Sequence, residues 1–191
     1  LQHLHAGISA EAQQALDLAQ NSPKPVVINE SSDNPGGGTP GDGTYLLREM
    51  LEQDLPKSAY GFIRDPEVVK QAIAAGVGSR IDCSLGGKTD DFHGEPVTLK
   101  NALVKAVSDG RYINKNPMGA GGVRNMGDTV LLEVGNLSIV VGTNRQQTLD
   151  DGPFSVVGID WQQMEVLALK SAQHFKGWWT GRAKTIIPCD S

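Results

Sequence analysis

The chain has 191 residues, 39% hydrophobic and 20% charged, with 23 glycines and a formal net charge of −5. That length suits one domain with a real hydrophobic core, and basic residues that are scattered rather than clustered argue against a nucleic-acid binder working by counterion displacement. No apolar run approaches the roughly 20 residues that cross a bilayer, and the opening LQHLHAGISAEAQ has neither region of a signal peptide. A soluble protein of the cytoplasm is the default expectation, with an upstream start left open because the first residue is Leu1.

In chain order, residues 9–20 (SAEAQQALDLAQ) read as a helix with Ser9 as cap and Glu11 near its positive end, stopped by Pro23 and Pro25. Residues 25–30 (PVVINE) form a short β-branched run, as in a strand buried on both faces. Residues 44–55 have helical spacing at Leu46, Leu47, Met50, Leu51 and Leu55, closed by Pro56. Residues 59–64 are a second strand. Asp65-Pro66 then caps a helix that ends at Gly76, and 79–85 is a third strand before Gly86-Gly87. Alternation over 9–87 implies parallel strands joined by right-handed crossovers.

The period then changes. Residues 97–107, 111–113, 129–134 and 137–142 are short apolar runs between turn residues, with β preferred to helix for 97–107 and a two-residue Gly135-Asn136 hairpin. Residues 116–127 (NPMGAGGVRNMG) read as a second glycine-rich loop and 151–164 as a short helix and turn. Residues 165–170 are a buried strand, KSAQHFKGWW leads into a helix, and 183–188 are a final strand. The expected fold is α/β, a parallel or mixed sheet with crossover helices and an antiparallel β section in the second half. One domain is expected over 1–191, with a helical lead-in (1–24), an α/β half (25–96) and a β-rich half with C-terminal helix and strand (97–191).

The segment 33–44, DNPGGGTPGDGT, lies between a strand and a helix, and glycines there allow backbone amides to converge on an anion near a positive helix end. Gly36 and Gly41 have P-loop spacing, but Asp42 and Gly43 stand where the lysine and Ser/Thr belong, which argues against ordinary nucleotide binding; GxGxxG is absent too. Asp42 and Thr44 are N-cap candidates. A tight connection with no ligand is the competing reading. Lys170 and His174 follow a buried strand, where α/β folds place functional groups; His174 suits proton transfer and Lys170 fixed charge, against a capping or packing role for the histidine. Asn116 begins a turn that suits ligand contact. Trp178 and Trp179 read as core or interface anchors, and Asp90-Asp91 as a solvated loop.

No GxSxG marks a nucleophile elbow, and Ser171 lacks one. Cys83 and Cys189 lack CxxC context and are expected as reduced thiols. His3 and His5 form an HxH pair on a terminus, and no histidine has HExxH-type spacing, so no metal ligand is expected.

Taken in order, NESSDNPGGGTPGDGT, FIRDPEVVKQAIAAGVGSR, SLGGK, NPMGAGG, GNLSIVVGTNRQQTLD and LALKSAQHF resemble the C-terminal domain of the microcystinase C (MlrC-like) metallopeptidase family, from about residue 25 to the end. The resemblance implies a larger N-terminal α/β domain holding zinc through Asp and His, an active-site cleft between the domains, and peptide-bond hydrolysis, with linearised microcystin and its tetrapeptide as the eponymous substrates. No zinc ligand maps onto this chain. Zinc is expected in the full-length parent and no cofactor here, and the partners are that N-terminal domain and a peptide, with no nucleic acid and no membrane. The surface closing over the zinc site would comprise Asp33, Asn34, Gly36, Gly37, Gly38, Lys170, Gln173 and His174, with Asp42, Thr44 and Asn116 also at the substrate or interface. Loop amides would orient a carboxylate or oxyanion, with His174 polarising or moving a proton. Two other readings stay open: a stand-alone anion- or small-molecule-binding module using the DNPGGG loop, and a structural or dimerisation domain whose tryptophans meet a second copy.

Overall fold

The computed structural model describes the backbone of residues 2–191 and the side chains of residues 7–191. Its elements are α1 (Gln2–Gln20), β1 (Val26–Glu30), α2 (Tyr45–Gln53), β2 (Ser58–Arg64), α3 (Pro66–Ala75), β3 (Arg80–Leu85), β4 (Val97–Ser108), β5 (Arg111–Ile113), β6 (Val123–Asn125), β7 (Thr129–Val134), β8 (Leu137–Gly142), α4 (Gly152–Ser155), β9 (Val166–Lys170), α5 (Lys176–Trp179) and β10 (Thr185–Cys189). Eight strands share one sheet in the order β10-β1-β9-β2-β8-β7-β4-β3, while β5 and β6 pair separately. The first five strands of that order are parallel, and β7, β4 and β3 continue it antiparallel.

The runs with least alternation occupy the centre. Every residue of β1 and of β9 is buried, because both faces of the parallel section are covered. Val26 and Ile28 pack with Leu16 of α1, Leu46 and Met50 of α2 and Val69 of α3. Val27 points to the other face, with Phe154 of α4 and Trp179 of α5. In α1 the buried residues Ala12, Ala15, Leu16 and Ala19 follow helical spacing. Asp65 caps α3 as expected, its side chain accepting from the Val68 amide. Burial pushes the free thiols of Cys83 and Cys189 up to about 11. None of the described helices is long and apolar enough to cross a membrane.

Three local expectations need correction. Helix α1 already runs at Gln2, so Ser9 is interior rather than a cap; a cap residue marks only a permitted start, and Gly7 does not interrupt the helix. Strand β3 is at the sheet edge and, among the described residues, pairs with β4 alone and antiparallel, instead of continuing a parallel series. Its alternating exposed and buried residues are those of a strand with one solvated face, the usual antiparallel pattern. Finally, the expected loop 116–127 contains β6, which pairs with β5 from Arg111↔Asn125 to Ile113↔Val123. The His3–His5 pair lies outside the described side chains.

Candidate functional site

The loops that leave β1, β8 and β9 all emerge at the carboxyl edge of the parallel section, the edge where open α/β sheets bind ligands. They are tied together. Gln147 donates to the Ser171 hydroxyl at 2.9 Å and packs against Gly36; the Ser171 amide donates to the Glu30 carbonyl at 3.0 Å. Thr148 anchors the post-β8 loop by donating to the Gly61 carbonyl at 2.9 Å.

Beneath this edge is a buried ion network. Lys170 Nζ donates to both Glu30 carboxylate oxygens at 2.8 Å and lies 3.0 Å from Asp33 Oδ2, and all three side chains are 1% exposed. The Tyr60 hydroxyl donates to Glu30 Oε2 at 2.8 Å. Lys170 is therefore no ligand-contacting cation; its fixed charge is directed into the fold. Burial favours the neutral form of Asp33, but the Lys170 ammonium and the amides of Gly43 and Gly41 outweigh it and hold the carboxyl down at about 2. Burial, aided by the Asp33 charge and opposed by Lys170, raises Glu30.

The glycine-rich loop is an anion cradle already filled from within. The amides of Gly41 and Gly43 donate to Asp33 Oδ1 at 2.8 Å and Oδ2 at 2.6 Å. Asn34 caps the 3-10 turn Pro35–Gly37 by accepting from the Gly36 amide at 3.1 Å, while the Gly37 and Gly38 amides donate to the carbonyls of Asn34 and Pro35. Gly36, Gly37 and Gly38 are exposed, yet their N–H groups are engaged. The amides of Gly36 to Gly38 are thus spent within the turn, and the anion held by the loop is Asp33, through the amides of Gly41 and Gly43. Gly43 must be glycine for the same reason, since a Cβ there would lie 2.9 Å from Asp33 Oδ2 and 3.1 Å from Lys170 Nζ.

Asp42 and Thr44 do not cap α2 through their side chains. Thr44 occupies the N-cap position but its hydroxyl donates to the Glu95 carbonyl at 2.7 Å. Asp42 Oδ2 accepts from the Lys88 amide at 3.0 Å and from the Thr89 amide and hydroxyl at 3.0 and 2.8 Å. Both residues pin the segment after β3 to the loop after β1. Buried Asp42 Oδ1 has no hydrogen-bond partner among the described residues.

That pinned segment brings in a residue the sequence reading passed over. His93 Nδ1 lies 2.9 Å from both carboxylate oxygens of Asp90, and Nε2 lies 4.0 Å from Asp33 Oδ1. An ionised carboxylate only accepts, so Asp90 fixes the ring with Nδ1–H toward it, and among the described residues Nε2 makes no hydrogen bond. Burial works against ionisation of Asp90, but the His93 hydrogen bond and the Phe92 and His93 amides bring its pKa below the ordinary value. The DxxH spacing of Asp90 and His93, at (i, i+3) in a turn, was the available signal. His174 and Gln173 are exposed on the post-β9 loop; Gln173 accepts from Lys176 at 2.7 Å. Asn116 is buried and structural at this edge: its amide donates to the carbonyls of Leu149 at 3.0 Å and His174 at 2.8 Å. It fastens the tip of the β5–β6 hairpin beside the post-β9 loop. Trp179 is fully buried, in edge-to-face contact with Trp161 and Phe154 at 5.3 and 6.4 Å between ring centres.

Among the described residues no group of three or more His, Cys, Asp or Glu is placed to hold a metal ion. The nearest approach, Asp33, Asp90 and His93, does not fit one, because Asp33 is occupied by two amides and Lys170, and Asp90 by His93.

Comparison with known proteins supplies the context. The family model for the MlrC C-terminus matches residues 28–191. Microcystinase C from Sphingomonas sp is 30% identical over 152 residues, covering 80% of this chain and 29% of that protein. A crystal structure from Mesorhizobium sp. BNC1, described as "Putative metallopeptidase", shares the fold with a TM-score of 0.84 at 23% identity, over 92% of this chain and 35% of its own. The chain thus spans about a third of the length of each relative.

Proposed function

This chain belongs to the MlrC C-terminus family, and from that premise we propose that its carboxyl-edge loops form one wall of a cleft in which a longer parent protein hydrolyses peptide bonds. The Asp90–His93 pair carries the reading. It is an imidazole oriented by a carboxylate, with Nε2 4.0 Å from the buried Asp33 carboxylate, on the edge where α/β folds work. Such a ring can pass a proton at Nε2 while the Asp90 carboxylate fixes its orientation through Nδ1. His174 and Gln173, on the neighbouring loop, are the exposed groups that meet substrate or the opposing wall. Asp33, Lys170 and the glycine turn act as the rigid floor.

A partner domain from the same protein is supported by the tip beside this edge, where Met118, Ile113 and Val123 are 50, 55 and 65% exposed. Apolar side chains grouped on one hairpin suit a covering surface. The zinc implied by the resemblance belongs in this reading to that partner domain; no residue of this chain is assigned to it and no step is derived through it. The test is peptide hydrolysis by the full-length parent. His93→Gln is expected to lower kcat/KM by about a hundredfold with an unchanged Tm, and His174→Ala to lower it less. Unchanged kcat/KM in both variants would refute the proposal.

A further inference from the structure

The loop amides being engaged, the positive groups left at this edge are arginines. Arg64, the last residue of β2, and Arg145, in the post-β8 loop, line one open cleft of about 390 Å³ together with Pro40, Thr143 and Asn144. Arg64 is half-buried, and among the described residues its guanidinium has no hydrogen bond or ion pair. Arg145 donates through Nη1 to the carbonyls of Gly38 at 2.9 Å and Thr39 at 3.5 Å. Its other N–H groups have no partner among the described residues. The acidic neighbours are already engaged: Asp65 next to Arg64 accepts from the Val68 and Gly86 amides and pairs with Lys88 at 3.0 Å.

Two guanidinium groups with free donors, in one cleft of a chain whose net charge is −5, are an arrangement for a planar oxyanion. We propose that Arg64 and Arg145 form a carboxylate-binding subsite at the mouth of the cleft, taking the C-terminal or acidic side-chain carboxylate of a peptide. The peptide as source of that carboxylate rests on the peptidase reading above; the subsite itself rests on the two arginines. A carboxylate fits better than inorganic phosphate because the cleft is larger than a lone tetrahedral ion needs. A guanidinium fork also matches the two coplanar oxygens of a carboxylate in a bidentate pair.

The test is a titration of the full chain with N-acetylglycine, its neutral amide and inorganic phosphate, followed through the Arg64 and Arg145 side-chain Nε–H signals. Saturable shifts at both arginines with N-acetylglycine, weakened by added salt and absent with the amide, are expected. Arg64→Gln should weaken binding about tenfold, the size of a lost charge-assisted bond, and Arg64→Lys should restore only part of it. A backbone amide spectrum unchanged by either substitution shows that the fold is intact. No saturable shift at either arginine, equal shifts with the neutral amide, or tighter binding of phosphate would overturn the subsite. Saturable carboxylate binding in a parent that does not hydrolyse peptides would keep the subsite and remove the peptidase reading.

Discussion

Replacing Lys170 with methionine probes the buried network under the glycine-rich loop. The ammonium makes two 2.8 Å hydrogen bonds to Glu30 and a 3.0 Å contact to Asp33, and each partner is 1% exposed. Methionine fills similar volume, so cavity formation contributes little and the loss is electrostatic. Breaking such a network by removing one partner costs about 3–5 kcal/mol because a buried charge is left uncompensated. Glu30 relieves part of that cost by binding a proton, as burial already raises its pKa, which places the expected loss near the lower end. Urea unfolding at about pH 7 should therefore show Lys170→Met destabilised by about 3 kcal/mol, and the loss should shrink at about pH 5 as carboxylates take up protons. Adding Glu30→Gln should recover a substantial part at neutral pH. A loss below about 1 kcal/mol, the scale of an exposed pair, or one independent of pH, would refute the network's electrostatic role.

Asp33, held at about 2 against an ordinary 3.8, stabilises the fold when ionised. That contribution, about 2 kcal/mol, is fully present above about pH 4 and is lost as the pH falls through about 2. Glu30 acts oppositely: its raised pKa favours the folded state when protonated, and this is lost as pH rises above its ordinary 4.5. Thermal melts across the acid range should show a shallower acid limb in Asp33→Asn, and superimposable limbs would contradict the assignment. Gly43→Ala drives a methyl toward Asp33 Oδ2 and Lys170 Nζ; an overpacking loss of about 1–3 kcal/mol is expected in the same urea assay, and no loss would mean that the loop yields. Trp179→Ala, at a fully buried ring between Phe154 and Trp161, should cost about 3–5 kcal/mol, with a smaller value arguing that this face repacks.

Local pattern carried much of the fold. Strands β7 and β8 have the bounds their apolar runs predict, and Asp65-Pro66 and Gly76 delimit α3 as their cap chemistry requires. Strand direction was less legible: the helix–strand rhythm suggests a parallel β3, whereas pairing with β4 across 86–96 sets it antiparallel. For the site, the residues that follow β1 and β9 were visible as a group, but which of them face outward was not. Lys170 looks like a free cation in sequence and is a buried counter-ion in the fold, because Glu30, far from it in sequence, is its neighbour across the paired strands β1 and β9. Glu30 itself ends the apolar run VVIN at a doubly buried position, a signal that such a position needs a charged partner. The DxxH spacing of Asp90 and His93 is a weak signal by itself, because the place of His93 at the site depends on the pinning of its loop by Asp42 and Thr44, which is a tertiary fact.

The central claim, that the loops after β1, β3, β8 and β9 form a wall of a peptide-binding cleft, is tested most directly by amide hydrogen exchange on the full-length parent with and without a peptide it does not cleave. Peptide-dependent slowing confined to residues 36–38, 90–94, 143–147 and 171–175 is the expected result. Slowing elsewhere on the chain, at the exposed β3 edge for instance, with those segments unchanged would contradict the account.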